Sequence, residues 1–204
     1  MLRDVPSPVD LRSEVDAREW EAAAFQRRPS RPRFFDLMAS DIQDLQPAAA
    51  QVLDLGSGPG YLAQHLLSRL RQIRITLLDF STVMHTLARS RLDYAAERVD
   101  FREADFSCAD WTNGLRGFDA VVTQQAVHET RHKRHAAILH AQVRSVLRPG
   151  GIYLVCDHFA GSGGAGNRQL FMSVEEHRQA LESAGFTSVR LRLQTDGMVL
   201  HHAC

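Results

Sequence analysis

The stretch VLDLGSGPGYL, residues 52–62, constrains the fold more than any other. Val52, Leu53 and Leu55 read as a buried strand that runs straight into Gly56, Ser57, Gly58, Pro59 and Gly60, and a helical pattern follows at once. Glycines at such a turn let the backbone pass close beneath a ligand, and the N-terminus of the next helix offers unpaired N–H groups. The plain alternative is a tight strand-to-helix turn that binds nothing. Three glycines in five residues at the end of a first strand argue against it.

From Gln51 onward, β-rich runs alternate with helical ones. QVLDLG, RITLLD, RVDFREAD, FDAVVTQQ and GIYLVCDH read as strands, with GYLAQHLLSRLRQ, STVMHTLARSRLDYAA and HKRHAAILHAQVRSVL as helices between them. SVEEHRQALESAG is a further helix, with Ser173 as N-cap, Glu176 three residues on and Gly185 as its stop. This alternation predicts parallel strands joined by right-handed crossovers, an α/β doubly wound sheet. SVRLRLQ and MVLHHAC are separated only by the turn TDG, so the sheet should finish with an antiparallel strand. AGSGGAG, residues 160–166, is the one low-complexity patch and reads as a mobile loop.

The first fifty residues differ. SPVDLRSEVDAREWEAAAFQ predicts an acidic amphipathic helix from Ser7 or Pro8, RRPSRPRFF breaks it with two prolines, and FFDLMASDIQDL resumes it. We read residues 1–48 as a helical lid segment and residues 49–204 as the domain proper. Arg31 and Arg33 are placed to meet the carboxylate of a cofactor while Phe34 and Phe35 cover the site; the alternative is that the arginines are simply solvated.

Bulk composition narrows the partners. Lys plus Arg equal Asp plus Glu at 24 each, which disfavours a partner whose phosphates need neutralising. Three scattered cysteines form neither a disulfide framework nor a metal knuckle. The first residues carry charges where a signal peptide needs an apolar run, and no stretch is long enough to span a bilayer. The expectation is a cytoplasmic protein, monomeric or homodimeric, acting on a small molecule, with no nucleic-acid or membrane partner.

Two cofactor classes use a glycine turn at this place. The dinucleotide fingerprint requires glycine where this chain has Tyr61. What stands instead, Asp-x-Gly-x-Gly-x-Gly from Asp54 to Gly60, resembles the first motif of the class I S-adenosylmethionine (SAM)-dependent methyltransferases. Asp79, nineteen residues past Gly60, ends the second strand, Asp105 ends the third, and VLRPGGIYLV is similar to the family's turn into the fifth. The resemblance covers roughly residues 50–204. It implies a Rossmann-like seven-stranded sheet and SAM as cofactor. The cofactor would be met by Asp54, Gly56, Ser57, Gly58 and Gly60, by Asp79 and Phe80, by Asp105 and Phe106, and by Gln124. Asp79 would take the ribose hydroxyls and Asp105 the adenine amino group, with Asp110 as a competitor.

AVHETRHKRH, residues 126–135, contains the string His-Glu-x-x-His, which zinc peptidases use on a helix. Here it follows the fourth strand, no third ligand motif comes after it, and a cationic turn of Lys133, Arg134 and His135 does. We expect no metal. His128 lies just past the fourth strand, at the sheet edge where ligands bind, and is a candidate general base, or else a structural residue of the turn. His158, past the fifth strand, is the second catalytic candidate. The Asn/Asp-Pro-Pro-Tyr of many amide and amino N-methyltransferases is absent, its place taken by Gln124-Gln125-Ala126-Val127, and so is the aspartate expected of metal-dependent catechol O-methyltransferases. The implied reaction is methyl transfer to a small-molecule acceptor at O, C or N. A non-catalytic SAM-binding protein and a nicotinamide-dependent oxidoreductase are the alternatives.

Overall fold

The computed structural model describes residues 4–45 and 50–204. Seven strands form one sheet: β1 (Gln51–Leu55), β2 (Arg74–Asp79), β3 (Val99–Glu103), β4 (Phe118–Gln124), β5 (Leu147–His158), β6 (Val189–Thr195) and β7 (Met198–Ala203). Their order is β3-β2-β1-β4-β5-β7-β6. The first five run parallel, and β7 lies antiparallel between β5 and β6. This is the expected doubly wound sheet. Helices α1 (Glu14–Arg27), α2 (Arg31–Gln43), α3 (Tyr61–Arg69), α4 (Thr82–Leu92), α5 (Ala136–Val146) and α6 (Val174–Ser183) pack around it. Two apolar clusters, one through Val52, Leu66 and Leu154 and the other through Leu53, Trp111 and Tyr153, share the burial of the strands. Strands covered on both faces read as near-continuous aliphatic runs, as FDAVVTQ does.

The sheet order reverses between β1 and β4, so their carboxyl ends open a crevice. The glycine turn is built for that place. The N–H groups of Gly56 and Ser57 both donate to the Leu78 carbonyl, at 2.8 and 3.1 Å. Gly56 holds φ +71°, and a Cβ on it would stand 2.4 Å from that of Ala126. Only glycine satisfies both demands.

Element ends depart from expectation where local polar chemistry intervenes. Helix α1 starts at Glu14 rather than Ser7 or Pro8, because Ser13 caps it and Asp10 holds the preceding turn by accepting from the Arg12 N–H at 3.0 Å. The second proline does not break a helix: Pro32 sits in the first turn of α2, where a missing N–H costs nothing. The helix expected from His132 begins at Ala136, after 3₁₀ turns at Val127–Thr130 and Lys133–His135. Helix α6 carries the full Ser173/Glu176 capping box. In the glycine-rich patch the chain folds back on itself, the Ala165 N–H donating to the Phe159 carbonyl at 2.7 Å. Phe34 and Phe35 do not cover a site; they are buried in the apolar cluster with Met38 and Leu66, because the inner face of α2 packs on the sheet. The expected boundary at residue 48 lies outside the described residues.

Candidate active site

The crevice holds a cavity of about 110 Å³ bordered by Gly56, Gly58, Asp79, Phe106, Gln124 and His128. It adjoins a wider cleft of about 740 Å³, between Phe80 and Asp105 on one side and the segment Ser7 to Arg12 on the other. Gly58 has φ +52°, and a Cβ there would meet nothing within 4 Å, so its backbone faces open space. Its N–H donates to Asp79 Oδ2 at 2.8 Å, while Ser81 N–H donates to Oδ1 at 2.9 Å. Burial raises the pKa of Asp79 against these two donors. Asp54, beneath the turn, is fully buried, and Oδ2 has no partner. Burial, then the neighbouring Asp79 charge, push its pKa up to about 8.

The other expected cofactor residues fall in distinct places. The Ser57 Oγ and the Gln124 Oε1 are buried without partners. Phe80 and Phe106 line both cavity and cleft. Asp105 borders the outer cleft, its Oδ1 accepting from Ser107 Oγ at 2.6 Å, whereas Asp110 is exposed in the turn beyond. Gly60 faces away from the crevice, towards Ala88 and Leu92 of α4.

His128 and His158 come together at the mouth of β4 and β5, with ring centroids 5.2 Å apart. Between them lies a residue that sequence reasoning missed. Asp157, 1% exposed, takes His128 Nδ1 at 2.6 Å and the His128 backbone N–H at 2.8 Å. Glu129 stands 3.2 Å from Nε2. Burial opposes a charged ring, yet Asp157 and Glu129 outweigh it and hold the His128 pKa up at about 10. Burial alone would raise Asp157, but the His128 charge brings its pKa below the usual range. His158 goes the other way, to about 4, through burial. The Gln125 amide donates to its Nε2 at 2.8 Å, as a neutral ring allows. The signal for Asp157 was present in CDHF: an acid at a strand's carboxyl end beside a histidine.

The His-Glu-x-x-His string forms no helical metal face. Arg131, at φ +64°, ends the 3₁₀ turn that holds His128, and His132 is the extended residue capping the next turn, its Nδ1 accepting from the Arg134 N–H at 3.1 Å. Among the described residues, His128, Asp157 and His158 do bring ligand atoms within 4.8 Å of one another, but the His128 and Asp157 atoms are hydrogen-bonded to each other.

The segment preceding α1 straps over the crevice. Arg131 donates to the carbonyls of Val5 and Pro6 at 2.8 and 2.6 Å, Ser81 Oγ to that of Leu11 at 2.5 Å, and Arg12 lies over the Phe80 ring at 4.5 Å.

A methyltransferase-domain family model matches residues 52–151. Acetylserotonin O-methyltransferase of Gallus gallus is 26% identical over 163 residues, covering 73% of this chain and 45% of that protein. An uncharacterized methyltransferase of Mycobacterium tuberculosis is 32% identical over 104 residues, 51% of this chain and 48% of that protein. The chain thus spans less than half the length of these relatives. Among solved structures, a complex of DhpI with SAH is similar at TM-score 0.73 and 23% identity, covering 94% of this chain and 92% of that one. Human N-acetylserotonin methyltransferase with SAM is similar at TM-score 0.73 and 21% identity, covering 95% and 56%.

Proposed function

We propose that this chain, which belongs to the class I SAM-dependent methyltransferase family, transfers a methyl group from SAM to a small-molecule acceptor. The observation that carries the reading is the glycine turn and Asp79 facing the same small cavity as His128, which Asp157 holds from behind. The residues present fit the cofactor. The open side of Gly58 leaves room for a ligand against the backbone, and Asp79 keeps lone pairs for ribose hydroxyls. Phe80, Phe106 and Asp105 extend the surface towards a base. SAM supplies a methyl carbon already activated by a sulfonium, so the protein's task is to hold acceptor and methyl in line and keep water out.

Asp157 fixes the Nδ1 side of His128 and leaves Nε2 to face the acceptor beside Glu129. With its pKa near 10, the ring is mostly an imidazolium at neutral pH. A hydroxyl acceptor would lose its proton to the minor neutral form, whereas an acceptor already ionised needs no base and is attracted by the cation. Residues 4–45 serve as the lid, with the strap over the adenine end and α1 and α2 over the acceptor end. A reducing, cytoplasmic setting suits the free Cys108, Cys156 and Cys204, and among the described residues no helix is long and apolar enough to cross a membrane.

Titration calorimetry with SAH, the demethylated cofactor, tests the reading. The wild type should bind it, and Asp79→Ala should lose about 1.5–3 kcal/mol, the worth of hydrogen bonds to a charged acceptor. No heat of binding in the wild type would defeat the proposal.

A further inference from the structure

Beside the cofactor cavity, and sharing Trp20, Gln125 and His158 with it, a second cleft of about 320 Å³ opens beneath the lid helices. Three guanidinium groups, from Arg27, Arg28 and Arg31, line it. Arg31 is only 4% exposed, donates to Gln125 Oε1, and has an Nε with no partner. Arg28 likewise buries an unpartnered Nε, and its outer nitrogen reaches only the Arg27 carbonyl, at 2.9 Å. Aromatic rings stand in for counter-ions: the Arg31 guanidinium lies 5.6 Å from the Trp20 ring and 5.7 Å from Phe25. Among the described residues no carboxylate pairs with any of the three, and the nearby acids are engaged elsewhere, Glu21 with Arg91 at 2.5 Å and Asp157 with His128.

A buried cation without an anion is costly, and burial accordingly pulls the Arg31 pKa down to about 10. Natural chains tolerate such a charge where a ligand completes it. SAM brings a single carboxylate, so even where that group enters the cleft it leaves guanidiniums without an anion. The arginines stand on the far side of Gln125 and His158 from the glycine turn, so a group held by them presents the rest of its molecule to the two histidines.

We propose that the methyl acceptor carries an oxyanion, a carboxylate or a phosphorus oxyanion, held by Arg31 and Arg28 with Arg27 at the rim. This rests on the reading of the chain as a methyltransferase and narrows its acceptor to acids. A guanidinium donates in the forked geometry that oxyanions accept. The Arg31–Gln125–His158 chain of hydrogen bonds then couples anion binding to the orientation of the His158 ring, which makes Gln125 a positioning residue.

The test uses the full chain saturated with SAH. Inorganic phosphate and benzoate are titrated in, with neutral benzamide as control, by calorimetry and by the ¹⁵N shifts of the arginine Nε–H groups. Phosphate, benzoate or both should bind and move the Arg31 and Arg28 signals, while benzamide should not. Binding of phosphate alone assigns a phosphorus oxyanion, and of benzoate alone a carboxylate. Arg28→Ala and Arg31→Gln should each weaken the anion at least tenfold and leave SAH affinity within about twofold. Should Arg31→Gln not fold, Arg28→Ala and the wild-type shifts decide alone. Equal response to benzamide, no response to either anion, or unchanged anion affinity in the folded variants overturns the proposal. So does a tenfold loss of SAH affinity in the arginine variants, which would assign the guanidiniums to the cofactor carboxylate. Failure of the wild type to bind SAH is a different outcome: it removes the methyltransferase reading, while anion titration of the unloaded protein still reports on the cleft.

Discussion

At the scale of single residues, the proposed reaction turns on the His128–Asp157 pair. A histidine with an ordinary pKa would be largely neutral at pH 7, and a rate depending on it would level off near that pH. Held at about 10 by Asp157, the ring instead loses its proton only in alkali. With a hydroxyl acceptor, kcat/KM should therefore climb with pH towards about 10. Asp157→Asn removes the counter-charge and should bring that limb down towards the ordinary histidine range, whereas a merely structural Asp157 would lower the rate without moving the limb. His128→Ala should cost roughly a hundredfold in rate, abolish the limb and leave SAH affinity nearly unchanged. A pH–rate profile of the three proteins checks this, and an unmoved limb in Asp157→Asn would exclude the pairing as the cause. The glycines and Asp79 were legible in the sequence because each stands at the end of a strand that its own neighbours define. Asp157 was not, because its partner is 29 residues away and only the β4–β5 pairing brings them together. The link from Arg31 to Gln125 spans 94 residues and leaves no local trace.

At the scale of elements, the sheet and its crossovers followed from periodicity, while the N-terminal segment was legible only as helical content. Its position depends on polar clamps between distant segments, and these carry no pattern in the chain. Arg131 is the main clamp, with three donors spread over Val5, Pro6 and Glu129. Arg131→Ala should release the strap and leave the sheet intact. The expected signature is faster amide exchange confined to residues 4–13 and quicker SAH dissociation, with the thermal midpoint changed little. Hydrogen exchange by mass spectrometry and stopped-flow release measure the two, and unchanged exchange in that segment would mean that the Ser81–Leu11 and Arg12–Phe80 contacts hold the strap by themselves. The glycine turn offers a contrasting case. Gly56→Ala drives a Cβ into Ala126 and should destabilise the fold, but Gly58→Ala meets only open space and should cost about 1–2 kcal/mol for its left-handed backbone. The second variant should lose SAH affinity in addition, because the added methyl stands where the ligand would approach. Chemical unfolding and SAH titration of both variants separate the effects. A Gly58→Ala protein that binds SAH normally would move the cofactor away from this turn.

At the scale of the whole molecule, buried histidines govern the response to acid. His140 is fully buried with both ring nitrogens unpartnered, and burial brings its pKa to about 3. His158 and His201, also through burial, fall to about 4. A folded-state pKa below the unfolded value of about 6.5 contributes stability that is present above that pH and is lost as pH falls towards the folded value. The unfolded chain gains protons there that the folded chain refuses. His128 has the opposite sign: its raised pKa contributes stability that is complete below about pH 6.5 and is lost as pH climbs through about 10. Stability should thus peak near neutrality and fall on both sides, the acid loss between about pH 6.5 and 4 arising where the three rings outweigh the opposite contribution of Asp54, whose raised pKa lets the folded chain take up a proton first. Replacing His140 by Leu removes one of them without opening a polar vacancy, since neither of its nitrogens is bonded. The acid limb of urea-unfolding free energy against pH should then flatten by about 1.4 kcal/mol per pH unit, the linkage of one proton. An identical slope in wild type and His140→Leu would show that His140 takes up its proton in the folded protein, through a partner or water reaching it. The alkaline limb should be untouched in that variant and should shrink in His128→Ala to the part that the raised pKa values of Asp54, Cys156 and Tyr153 contribute.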